Sequence, residues 1–90
     1  MNQYVFKLYI TGQTARSETA VTNLRQICAR WFDGKCQITI VDVLEQPDEA
    51  ERNHVLATPT LVKVHPPPVQ RIIGDLSDLE KVRANLGLSW

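Results

Sequence analysis

The chain lacks most of what announces a chemistry. Its formal charges balance to zero over 90 residues, so it has no overall basic field to draw nucleic acid. That balance also does little to oppose self-association. No apolar run approaches the roughly 20 residues of a membrane span. The start reads as a strand and carries no cleavage site of the signal-peptide kind. A cytoplasmic protein, with neither membrane nor nucleic acid as partner, is the expectation. The four glycines form no phosphate-cradling loop, and Ser17, Ser77 and Ser89 lack the G-x-S-x-G context of a nucleophile. The only cysteines, Cys28 and Cys36, sit in no C-x-x-C and beside no histidine at ligand spacing. No metal or cofactor is expected, and the two thiols are expected to be reduced, as in a cytosolic protein.

The first half has clear single-period patterns. Tyr4, Phe6, Leu8 and Ile10 alternate with Val5, Lys7 and Tyr9, which predicts a strand with one fully apolar face. Lys7 reads as a snorkelling lysine at a strand edge. Ser17 is the expected N-cap of a helix, along which Ala20, Val21, Leu24, Ile27, Cys28 and Trp31 recur at helical spacing. Asp33-Gly34 stops it. A second strand follows over Cys36–Val43, completing a βαβ unit with parallel strands and a right-handed crossover.

The second half is less decided. Leu44–Leu56 opens a helix with Pro47 at its first position and Asp48 and Glu49 in its first turn, but has few apolar residues to bury. His54 reads as solvated. Four of the five prolines then fall between Ala57 and Asp75. Leu61, Val62 and Val64, and then Val69, Ile72 and Ile73, are strand formers. Between them Pro66, Pro67 and Pro68 fix φ and donate no N–H, so a hairpin with a stiff connection is expected. X-Pro bonds isomerise over tens to hundreds of seconds, which makes this run a slow element by composition. Ser77 and Glu80 read as a capping box ahead of a helix through Leu79, Val82 and Leu86. Ala84, Leu86, Leu88 and Trp90 also alternate as a strand would, so this tail reads both ways.

The order β, α, β, α, β, β, α is that of the thioredoxin fold, and Thr58-Pro59 falls where that fold places a cis proline. Thiol exchange in such a fold needs a thiolate at the start of the first helix. Thr11–Ala15 supplies none there, and the chain reads as a non-enzyme.

ATPTLVKV, PPPV and RIIGDLS, together with YVFKLYITG and VDVLEQP, are similar to the KaiB family of circadian clock proteins, from Tyr4 to about Val82. The resemblance implies a single domain over 1–90, with a stable βαβ half at 1–44 and a candidate fold-switching half at 45–90. In the alternative fold, βαββααβ, the second half repacks and the chain assembles as a tetramer or dimer in equilibrium with monomer. Pro59, Pro66, Pro67, Pro68, Gly74 and Asp75 are the implied fold-switch positions. The resemblance further implies a regulator that docks on the hexameric ATPase KaiC and modulates its phosphorylation state. KaiA and a clock histidine kinase are further partners where the host has them. Lys7, Lys63 and Arg71 are the implied partner-binding residues. Gln70 and Thr19 stand where many members carry further basic residues, so the docking charge is thinner here. Lys63 and Arg71 also read as exposed edge-strand charges that discourage sheet-to-sheet pairing. Two other readings are a thioredoxin-like sensor domain of the clock histidine kinase type and a KaiB-like stress-response protein without a rhythm.

Overall fold

The computed structural model describes residues 3–87. The elements are β1 (Tyr4–Ile10), α1 (Ala15–Trp31), β2 (Cys36–Asp42), α2 (Pro47–Arg52), β3 (Thr60–His65), β4 (Gln70–Ile73) and α3 (Leu79–Asn85). The four strands form one sheet in the order β2-β1-β3-β4. β1 pairs parallel with β2, with Leu8 opposite Ile40, as the βαβ reading requires. β3 pairs antiparallel with β1 and with β4.

The alternation in β1 decides the layering. Phe6 and Leu8 face α1 and α3 and join Ala20, Leu24, Ile27, Leu61, Ile72, Leu76, Val82 and Leu86 in the main core. Tyr9 points to the other face and packs with Val41 and Val62, with Val43 and Val55 against them. Among the described residues, that second face has only the six residues of α2 as helical cover.

Several local expectations are corrected. Thr14, not Ser17, caps α1, its side chain accepting from the Ser17 N–H. Ser17 is instead buried, and its Oγ accepts from the Thr11 N–H at 3.2 Å and the Thr14 hydroxyl at 2.9 Å. Asp78, not Ser77, caps α3 by accepting from the Lys81 N–H; Ser77 turns back to Asp75. Within Leu44–Leu56 the helix starts at Pro47, as expected, but ends already at Arg52: His54, at φ 55°, turns the chain out of the helix, and Leu56 beyond it stays 95% exposed. Lys7 is not at an edge, since β1 lies inside the sheet. Lys63 is likewise on an interior strand and is 4% exposed, so it is no edge-strand charge. Cys28 and Cys36 are not two separate thiols: they are joined as a disulfide with Cα atoms 6.0 Å apart. The helical part of the ambiguous tail reaches Asn85, while Leu88 and Trp90 lie outside the described residues.

Candidate interaction face

The polar chemistry gathers where α2 crosses the sheet. Lys7 projects from the middle of β1, and its Nζ donates to Glu49 Oε1 at 3.0 Å. Arg52 lies 3.9 Å from the other oxygen of Glu49. Arg71, opposite Val62 on β4, projects from the same face. Its guanidinium donates to the His54 carbonyl at 3.2 Å and to the Asn53 carbonyl. Those carbonyls close the C-terminal end of α2, where a cation is favoured by the helix dipole. Two polar ties therefore hold α2 on the sheet, one at each end, while Ala50 is its only buried residue. Sequence patterning marked Glu49 as part of a helix start and missed this role, because its partner is 42 positions away.

The hydrogen bond to Glu49 raises the Lys7 pKa, against a smaller opposing effect of burial. Burial raises that of Tyr9. Both groups thus hold their protons more tightly folded than unfolded. Their contribution is fully present below the unfolded pKa values and is lost as pH rises through the folded ones. Alkaline unfolding near and above pH 10 should accordingly soften in Lys7→Met and Tyr9→Phe, measured by melts across that window; identical pH slopes in the variants would refute the assignment.

Lys63 and Arg71 do not project together. Lys63 pairs with Gln70 and Phe6, one residue out of phase with the Val62–Arg71 pair, so it lies on the helical face. On the neighbouring strand, Gln70 Oε1 is buried without a hydrogen-bond partner among the described residues.

The remaining singled-out residues shape the turns. The Thr58–Pro59, His65–Pro66 and Pro67–Pro68 bonds are cis, and Pro66, Pro67 and Pro68 connect β3 to β4. The Pro59 carbonyl accepts from the Gly74 N–H at 2.9 Å. Gly74 has φ 129°, open to glycine and strained for other residues. Asp75 Oδ1 accepts from the Ser77 hydroxyl at 2.6 Å and its N–H at 3.1 Å. Those bonds, the hydroxyl's first, hold the Asp75 carboxyl below its ordinary pKa.

Where a thioredoxin-type fold would carry its reactive thiol, this chain has Thr11, Gly12, Gln13 and Thr14. Asp42 Oδ1 braces that loop by accepting from the N–H groups of Gly12 at 3.0 Å and Leu44 at 2.9 Å. The hydroxyls of Thr11 and Thr58 meet across the opening. Next to them lies an open groove of about 550 Å³ that reaches Val55 and Leu56.

A four-stranded sheet in the order β2-β1-β3-β4 with a βαβ start defines a thioredoxin-like fold. Solved structures agree. The N-terminal domain of Synechococcus elongatus SasA superposes with a TM-score of 0.76 at 23% identity, covering 97% of this chain and 86% of that one. Mitochondrial thioredoxin 3 of Saccharomyces cerevisiae gives 0.74 at 19% identity, covering 98% and 81%. Sequence narrows the class: the model of the KaiB domain matches residues 7–90. The chain is 48% identical to the circadian clock protein KaiB3 of Synechocystis sp., over 98% of its own length and 86% of the relative. It is 52% identical to the circadian clock oscillator protein KaiB of Prochlorococcus marinus, over 94% and 81%. The chain belongs to the KaiB family.

Proposed function

We propose that this protein is a non-enzymatic, cytoplasmic clock-type regulator that binds a KaiC-type hexameric ATPase and modulates its phosphorylation state. The observation that carries this reading is the 48–52% identity, over nearly the whole chain, to proteins named for the circadian clock. The likeness to the SasA domain is one of fold at 23% identity, and so does not favour the sensor-domain reading.

The α2 face is the docking surface in this reading. Lys7 and Arg71 supply its positive charge, while Val62 and Tyr9 are buried beneath α2 and support it from below. Lys63, on the helical face, serves the fold. Capture of the host's KaiC-type protein, with and without ATP, is the direct test. Arg71→Glu should weaken capture roughly tenfold, mainly through slower association. Undiminished capture by Arg71→Glu in the Lys7→Glu background would remove the face from the interaction. Loss of rhythm, against loss of stress tolerance only, in a deletion strain separates a clock from a stress-response role. Co-capture of KaiA or a clock histidine kinase, where the host has them, extends the partner set.

In the same reading, residues 45–90 are the half that repacks into the βαββααβ form, with a tetramer or dimer in equilibrium with the monomer. Support comes from the thin burial of α2 and from backbone strain. Of the three non-glycine residues with positive φ among the described residues, His54 at 55° and Leu76 at 68° fall in this half and Asp33 at 56° in the other; such conformations cost a non-glycine residue of order 1 kcal/mol or more. Pro59, Pro66, Pro67, Pro68, Gly74 and Asp75 form the connections that such a change must rebuild.

A further inference from the structure

Cys28 and Cys36 lie away from the interaction face, and the role proposed above uses neither. Cys28 ends the buried stripe of α1 at 6% exposure, and Cys36 is half-buried as the first residue of β2. The turn between them is built by the backbone. Phe32 and Gly34 both donate N–H groups to the Cys28 carbonyl, at 3.1 and 2.9 Å, and Lys35 donates to the Phe32 carbonyl at 2.8 Å. Asp33 and Gly34 take the left-handed φ values, 56° and 72°, that reverse the chain. This frame brings the Cα atoms to 6.0 Å, inside the ordinary disulfide range of about 4.4–6.8 Å. The pair is thus preorganised by contacts that do not depend on the bond. It also stands at a structural corner. Phe32 stacks on Tyr4 with ring centroids 4.1 Å apart, and Cys36 pairs with Tyr4 across the β1–β2 ladder.

We propose that Cys28 and Cys36 form a reversible thiol–disulfide couple that tightens the α1–β2 corner when oxidised by a small disulfide such as oxidised glutathione, and relaxes it when reduced. The difference in access sets the order of events. The Cys36 thiolate attacks one sulfur of oxidised glutathione, whose S–S bond breaks and releases one glutathione thiolate. Cys28 then attacks Cys36 Sγ and expels the second. The two thiol protons pass through solvent to the two glutathione thiolates, so the protein loses two electrons and the small disulfide gains them. In reverse, an incoming thiolate reaches Cys36 first and frees Cys28. In a cytosolic protein such bridges serve sensing more often than permanent bracing.

The full-length reduced protein treated with oxidised glutathione should become lighter by two hydrogens with no glutathione retained. Its Tm should rise by roughly 10 °C, as expected for closing a short loop in a domain of this size. Amides of β1 and β2 should exchange more slowly with solvent. Cys28→Ala should accumulate a single glutathione adduct on Cys36, and Cys36→Ser should remain unmodified at Cys28. Two alkylatable thiols persisting in the treated wild-type protein would overturn the proposal. So would a bridge that changes neither Tm nor amide exchange, or an adduct that forms preferentially on Cys28.

Discussion

Lys63→Glu is expected to destabilise the folded domain by about 3 kcal/mol, the scale of a buried charge without compensation. For a domain of this size that is a fall in Tm of roughly 12 °C or more. Lys63 is 4% exposed on the helical face, opposite Phe6 on one side and Gln70 on the other. A shorter acidic side chain there loses the apolar stem of the lysine and sets a carboxylate beside its cross-strand neighbour Gln70, whose buried Oε1 has no hydrogen-bond partner among the described residues. Lys63→Met keeps the stem and should cost much less. Arg71→Glu, on an exposed position, should shift Tm only slightly while affecting partner capture. A chemical denaturation series over the three variants checks the contrast. If Lys63→Glu were as stable as wild type, the residue would be the surface cation that its sequence context suggests.

The second large effect concerns the balance between the two proposed packings. Asp78 caps α3, and removing such a cap costs about 1 kcal/mol, a roughly fivefold change in any equilibrium that α3 takes part in. Asp78→Ala should enlarge the alternative population about fivefold, seen as a second set of NMR signals confined to residues 45–87 and as a larger mass by scattering. Signals from β1, α1 and β2 should remain single. Ser77→Ala should act less, since Ser77 contributes only to the turn at Asp75. One set of signals and one mass in every variant would mean that the chain keeps one fold.

The sequence showed the βαβ half because one periodicity dominates each segment there. Alternation through Tyr4–Ile10 and the helical stripe from Ala20 to Trp31 both report which side meets the core. The thioredoxin-like order followed from these and from Thr58-Pro59. The caps were harder to read: Thr14 and Ser17, and Ser77 and Asp78, are all good capping types, and only the backbone angles decide which residue precedes the helix. The candidate face was half legible. Lys7 and Arg71 stood out as charges, but their partners did not. Glu49 is remote in sequence, and the carbonyls of Asn53 and His54 carry no side-chain signature at all. Lys63 misled because one lysine inside an apolar run does not say which face it takes. That depends on the register between β3 and β4. The cysteines misled because separation along a chain carries no information about a reversing turn.

The way α2 is fastened has a thermal consequence. Heat-capacity change on opening follows the apolar area exposed, and α2 itself buries only Ala50 while its ends are tied by Glu49 to Lys7 and by backbone carbonyls to Arg71. Lifting α2 bares Ala50 and the small cluster of Tyr9, Val41 and Val62 beneath it, fewer apolar residues than the main core holds, and so carries a smaller heat-capacity change than melting the α1–α3 layer. Its free energy curves less with temperature than the dome of the whole domain. Added salt acts the other way round. It screens the tie between Lys7 and Glu49 and leaves the apolar layer almost untouched, so ionic strength moves α2 at concentrations that leave the melting of the domain in place.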